Sequence, residues 1–171
     1  MVSPCEKNLI PPREYTAMVN DNPLIKPVNI DDSYIQQVFN YYMQCYLHDP
    51  AMQLFVGQSS RIPHAFRYSA HVGVCNRTLG KHILAMRTLT GGAMRGSLKR
   101  SQLLNPSGHE LFRSCIIFPT MDKHNHVIAA IGYRYGQRIR HWQSPIIQWH
   151  KPESDKYITQ GFKLIQEMIY G

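Results

Sequence analysis

Arginine supplies most of the chemistry available to this chain. Eleven of its 19 basic residues are Arg, against 11 acids, and the formal net charge is +8. A guanidinium is a permanently charged planar fork that can pair with phosphate through two N–H donors. Between Arg61 and Lys151 stand 14 basic residues and only two acids, Glu110 and Asp122. A surplus of this kind favours a polyanionic partner, because each phosphate contact releases condensed counterions. Arg113, Arg134, Arg138 and Arg140 gather around one apolar segment, and Trp142 and Trp149 lie beside Arg140 and Lys151. Cations interleaved with aromatics suit a single strand, whose phosphates meet the former and whose bases stack on the latter. Core packing is the competing use of both tryptophans. Arg77 and Lys81, four apart, would share a helical face with Leu79 turned away, either as phosphate contacts or as a solvated face.

Catalytic constellations are scarce by comparison. The adjacent acids Asp31 and Asp32 stand at the start of an apolar-periodic segment, where capping is the expected role. No GxSxG, Walker loop, dinucleotide fingerprint or HExxH occurs. Two-cation phosphoryl transfer needs clustered carboxylates holding the ions about 4 Å apart, and the arginine-rich stretch offers two that are distant in sequence. Cys45-x-x-His48 and His71-x-x-x-Cys75 could in principle ligate zinc, yet the ligand order is unusual and such cysteines more often pack as small core residues. No metal site and no cofactor are therefore expected. Cysteines are spread at Cys5, Cys45, Cys75 and Cys115 without a CxxC, which predicts reduced thiols. No stretch approaches the ~18–20 apolar residues of a membrane span, and residues 1–12 lack a secretory pattern, so a cytoplasmic protein is expected.

The elements that must position the arginines can be read from periodicity and breakers. Pro4, Pro11, Pro12, Pro23 and Pro27 make residues 1–30 an extended arm. Residues 31–171 form one domain. Ile35, Val38, Phe39, Tyr42 and Tyr46 predict a helix ending at Asp49-Pro50, and Pro50 opens a second helix reaching Gly57. Pro63 begins a short helix containing Phe66 and Tyr68, and Asn76 offers a cap to the segment around Leu79. Gly91-Gly92 reads as a loop before a helix from Ala93 to Leu104, stopped by Asn105-Pro106-Ser107-Gly108. Cys115 to Pro119 is a buried strand, Asp122 to Asn125 a turn, and His126 to Arg134 the return strand. This pairing would bring Arg113 and Arg134 to one end of the hairpin. Arg140 to Ile147 is expected to be extended, and Tyr157, Ile158, Phe162, Leu164, Ile165, Met168 and Ile169 suit a terminal helix. The fold class is α+β: helices, then a small, mainly antiparallel sheet, then a helix.

Taken in order, these pieces resemble a known family. They are Tyr41-Tyr42 with Asp49-Pro50-Ala51, then Gly73 to Gly80 containing Asn76-Arg77-Thr78-Leu79-Gly80, and Gly108 to Arg113. Ile117-Phe118-Pro119, Asp122, Val127-Ile128, Gly132-Tyr133-Arg134, Ser144-Pro145 and His150-Lys151 follow. From about Val38 to Gly171 the chain resembles the N-terminal subdomain of the catalytic core of bacterial-type DNA primases, especially the primase-related proteins of plasmids, prophages and integrating elements. The resemblance implies a basic surface guiding a template strand and an RNA–DNA hybrid. It also implies that Arg113, Arg134, Arg140 and Lys151 fall at basic family positions, with Arg77 and Lys81 matching the mobile-element members. Together with Arg138 and Trp142 these form the expected nucleic-acid-binding set.

Departures from the family are equally specific. Family primases begin with a zinc-binding domain, whereas residues 1–37 hold only Cys5 and no His. The catalytic acids and their magnesium belong to a following toprim segment, and the sequence stops at Ile169-Tyr170-Gly171, about where that segment would start. Ile146 and Ile147 stand where the family has an acid and a threonine. The expectation is a primase-like module that grips single-stranded DNA or an RNA–DNA hybrid without being active alone, either a fragment of a longer primase or a cut-down form. The alternative is a mobile-element factor that docks onto a recombinase, helicase or toprim subunit through Phe162, Ile165 and Ile169.

Overall fold

The architecture follows from one strand that must be covered on both faces. In the computed structural model, which describes residues 30–152 and 168–169, the run Cys115-Ile116-Ile117-Phe118 is buried throughout. Alternate side chains of a strand point to opposite faces, so an unbroken buried run needs a layer on each. This strand, β2 (Cys115–Met121), pairs antiparallel with β1 (Gly73–Cys75) on one side and β3 (Val127–Arg134) on the other, and β4 (Ile146–His150) completes the order β1-β2-β3-β4.

One face is covered by α1 (Ile30–Leu47) and α3 (Leu89–Arg100). Helix α1 buries Ile35, Val38, Phe39 and Tyr42, a stripe at i, i+3, i+4 and i+7. Phe39 sits at the centre, its ring 5.3 Å from Trp149 and 6.3 Å from Phe112. The other face is covered from α2 (Pro50–Gln58) and residues 59–72, where Val56, Ile62 and Val72 pack with Ile116, Phe118 and Tyr133. Phe66 stacks on Phe118 with centroids 4.8 Å apart. Gly132 marks a close approach between the sheet and Phe112: a Cβ there would lie 2.6 Å from the Phe112 ring.

The α+β class and the hairpin register agree with the sequence: Asp122 Oδ1 accepts from the His124 and His126 amides at 2.8 and 2.9 Å, and Cys115 pairs with Arg134. Asp49 caps α2, its side chain accepting from the Met52 amide at 3.2 Å with Pro50 at the first turn. Other expectations are corrected. Ile30 is already helical, so Asp31 and Asp32 lie in the first turn of α1; Asp31 reaches across to Ser97 and Arg100 of α3. Gly91 and Gly92 are inside α3, because Thr88 caps it by accepting from the Gly91 amide at 3.0 Å. A Cβ on Gly91 would stand 2.2 Å from the Ala85 carbonyl oxygen, so glycine here permits a close approach to the preceding loop. The same helix ends at Arg100 rather than Leu104.

Two further differences concern strands. Gly73–Cys75 is an edge strand whose three residues are too few for a periodic signal. Of the segment 140–147 only Ile146 and Ile147 are in a strand; Arg140 to Gln143 close a turn, with the Gln143 amide donating to the Arg140 carbonyl at 2.8 Å. The arm 1–29 and most of the terminal helix lie outside the described residues; Met168 and Ile169 are helical. No described helix is long and apolar enough to cross a membrane.

Candidate nucleic-acid interface

Antiparallel order puts the C-terminal ends of β1 and β3 beside the N-terminal ends of β2 and β4. Three connections therefore meet at one end of the sheet: residues 76–88 after β1, 105–114 before β2, and 135–145 between β3 and β4. Backbone bonds lock them together there. The Ser114 amide donates to the Cys75 carbonyl, and the Tyr135 amide donates to the Ser114 carbonyl, both at 3.0 Å. Arg77 and Ser114 hold φ of 64° and 56°, the left-handed region that costs a non-glycine residue on the order of 1 kcal/mol or more.

Two adjoining cavities open between these loops. The first, ≈ 520 Å³, is lined by Arg77, Arg113, Arg134, Arg138, Arg140 and Trp142 among others. The second, ≈ 490 Å³, is lined by Arg77, Lys81, Arg95 and Arg113 together with Asn76 and His109. Arg77, Arg113 and Glu110 belong to both walls. The fold thus gathers Arg77, Lys81, Arg113, Arg134, Arg138, Arg140 and Trp142, seven of the eight residues singled out in the sequence.

These seven are not equivalent. Arg134 is half-buried and already engaged: its Nε donates to the Ser144 carbonyl at 2.7 Å and a terminal nitrogen donates to the Arg113 carbonyl at 2.9 Å. It sets the position of the 135–145 loop and of Arg113. Arg138, Arg140 and Arg77 are exposed, and Arg140 lies 5.1 Å from the centre of the Trp142 ring, a cation–π arrangement. Trp142 is 64% exposed, whereas Trp149 is 3% exposed and donates its Nε1–H to the Ser101 carbonyl at 2.7 Å. The two tryptophans divide the alternatives between them: one is surface, one is core.

Arg77 and Lys81 share a cavity wall but not a helical face. The left-handed Arg77 precedes a single 3-10 turn, Leu79–Lys81, and only Leu79 turns inward as expected. Lys151 stands apart. Its amide bonds to Ile128 near the other end of β3, and its Nζ pairs with Asp32 at 2.7 Å. Six residue steps along the strand from Ile128 to Arg134 put it about 20 Å from the arginine loops.

Several contributors were invisible in the sequence. Arg61 donates to the carbonyls of Arg134, Gly136 and Gln137, clamping the 135–145 loop from the opposite layer. Arg95 enters from α3, its Nε buried without a hydrogen-bond partner among the described residues. Glu110 is buried, and its Oε1 accepts from the Tyr42 hydroxyl at 3.1 Å and the Cys75 thiol at 3.3 Å. Burial, reinforced by the Glu110 charge, pushes both the Tyr42 hydroxyl and the Cys75 thiol well above their ordinary pKa, so both stay protonated donors. Cys75 is thereby a core thiol, and His48 turns its Nδ1 to the Gln44 carbonyl at 2.8 Å. Burial also lifts the Cys115 thiol to about 12, although Arg134 opposes it. Among the described residues no group of three or more His, Cys, Asp and Glu side chains is placed to hold a metal ion.

No protein-family model matches the sequence, and no curated protein matches it. Solved structures do. The DnaG catalytic core aligns with a TM-score of 0.51 at 21% identity, over 73% of this chain and 38% of that one. The structure is similar to the bacterial primase core. A DnaG primase catalytic domain bound to single-stranded DNA aligns at 0.50 and 19% identity, over 73% of this chain and 39% of its own. The Aquifex aeolicus primase, comprising zinc-binding and RNA polymerase domains, aligns at 0.50 and 16% identity, over 72% and 29%. The chain therefore shares the primase-core fold while spanning less than two fifths of each of these proteins.

Proposed function

We propose that this protein is a nucleic-acid-gripping module of the primase type, holding single-stranded DNA or an RNA–DNA hybrid in the arginine-lined groove at the loop end of its sheet. The carrying observation is the convergence of seven cations and the exposed Trp142 from segments distant in sequence, with none of those cations ion-paired among the described residues. Like charges held together repel; the arrangement becomes favourable when phosphates occupy it. An exposed indole beside Arg140 adds a stacking surface that tolerates any base. The shared fold with a primase domain bound to single-stranded DNA supports the same choice of partner.

The groove is a grip rather than a reaction centre. Among the described residues its one lining carboxylate, Glu110, is engaged by Tyr42 and Cys75, whereas holding two cations would need several free carboxylates. Nucleotidyl transfer, with its magnesium, belongs in this proposal to a toprim segment or subunit working beside this module, in replication or in a mobile element. Of the alternative role's docking residues, Phe162 and Ile165 fall outside the described residues, and Ile169 is helical and exposed.

Fluorescence anisotropy with a labelled single strand, the matching hybrid and the matching DNA duplex, at several salt concentrations, tests the proposal. Preference for the single strand or hybrid, with affinity falling steeply as salt rises, is the expected result. No retention of any of the three at low salt would overturn it.

A further inference from the structure

The groove has two compartments, and their linings differ in kind. The compartment with Trp142 offers a ring face and a row of exposed arginines. The neighbouring compartment, ≈ 490 Å³, is lined by four cations, Arg77, Lys81, Arg95 and Arg113, against one carboxylate, Glu110, and His109 is its only ring among the described residues. None of the four is ion-paired among the described residues. Arg95 is particular. One terminal nitrogen makes a long 3.4 Å bond to the Gly80 carbonyl, while its Nε is buried without a partner among the described residues. A guanidinium carries five N–H donors, and the terminal nitrogens of Arg95 keep donors free for an anion in the compartment it lines.

We infer that this second compartment is a strand-end pocket, which takes the 5′-terminal phosphates of a strand whose body lies along the Trp142 compartment. The inference rests on the proposed function, because the strand must first occupy the groove. A phosphodiester carries one negative charge, which is a poor match for four converging cations. A terminal monophosphate approaches two charges near neutral pH, and a triphosphate carries more. The shared walls at Arg77 and Arg113 make the compartments contiguous, so that a strand leaving the ring-lined side ends where phosphate partners are dense and base partners are lacking.

The test uses the full chain and three 3′-labelled strands of one sequence ending in a 5′-hydroxyl, a 5′-monophosphate or a 5′-triphosphate. Affinity should rise in that order, with the triphosphate about tenfold tighter than the hydroxyl, a gain on the scale of one charge-assisted hydrogen bond. Lys81→Ala with Arg95→Ala should bring the three strands within about twofold of one another, whatever affinity all three lose in common, since contacts to the terminal phosphates set the difference. Lys81→Glu, at an exposed position, gives the same comparison without disturbing α3. Inorganic triphosphate should erase the triphosphate advantage and leave the hydroxyl strand in place. Equal affinity for all three ends, or equal displacement of all three by inorganic triphosphate, overturns the end pocket while leaving the groove intact. Failure of every strand to bind overturns the groove and the pocket together.

Discussion

Ion pairs are divided unevenly between the two ends of the sheet, although exposed Lys123 in the hairpin turn has no ion pair among the described residues. At the hairpin end, Lys151 is paired with Asp32, and on the adjoining helices Arg100 is paired with Asp31 at 3.0 Å. At the loop end, Arg77, Lys81, Arg95, Arg113, Arg138 and Arg140 stand around a shared groove without an ion pair among the described residues. A paired cation stitches elements together; a set of unpaired ones stores repulsion that only an anion relieves. The difference separates structural from functional charge more sharply than residue type does, since both ends use the same side chains. Left-handed residues occur at both ends: Arg77 and Ser114 among the loops, and Asn125, a type that tolerates this region, in the hairpin turn.

The tryptophans give the largest test of this division. Trp149→Ala removes a fully packed indole and leaves the Ser101 carbonyl without its donor, so a loss of about 3–5 kcal/mol in urea unfolding is expected. Trp142→Ala should leave unfolding unchanged within about 0.5 kcal/mol and weaken single-strand affinity by about 1–3 kcal/mol. If Trp142→Ala destabilised the fold instead, the loop end would be part of the structural framework and the contrast would be lost.

Charge removal comes next. Arg138→Ala with Arg140→Ala should weaken strand binding roughly 100-fold and reduce the salt slope by about 2, while stability is unaltered. Arg134→Ala behaves as a mixed case: three elements lose a shared donor, so stability falls by about 2 kcal/mol and strand affinity falls with it. An Arg134→Ala protein of unchanged stability would show that Arg61 and the backbone bonds suffice to hold the 135–145 loop.

Much of this framework was legible because it is local. The 35/38/39/42 stripe, the Asp49-Pro50 cap and the Asp122–Asn125 turn each follow from a few adjacent residues. Register then followed from the turn, and so did the meeting of Arg113 with Arg134. What escaped reading was set by distant partners. Gly91 is helical because Thr88 caps α3, and it must be glycine to fit against the Ala85 carbonyl; Arg61 matters through carbonyls more than 70 positions away, and Glu110 is engaged by Tyr42 and Cys75. Arg95 lacked a signal of its own, being one helical arginine among several. Lys151 shows the reverse: a basic residue at a family-like position, spent on Asp32.

The smallest effects belong to the paired end, and their smallness is the point. Lys151→Ala should change strand affinity by less than about twofold and stability by less than about 1 kcal/mol, the range of partly exposed ion pairs. A loss comparable to that of Arg140→Ala would mean that the strand runs the ~20 Å length of the sheet, and the groove would have to be redrawn. Asp31 adds a pH signature. Burial works to raise its carboxyl pKa, but the bonds from Ser97 and Arg100 outweigh burial and hold it below the ordinary value. A carboxyl depressed in the folded state binds its proton more readily when unfolded, so its contribution is present above the unfolded pKa of about 4 and fades as pH falls through the folded value. Asp31→Asn should therefore cost a fraction of a kcal/mol at pH 7 and progressively less below about pH 4, in urea titrations of the two proteins across that range. An undiminished difference at low pH would show that the Asp31 link to α3 depends on side-chain geometry and not on charge.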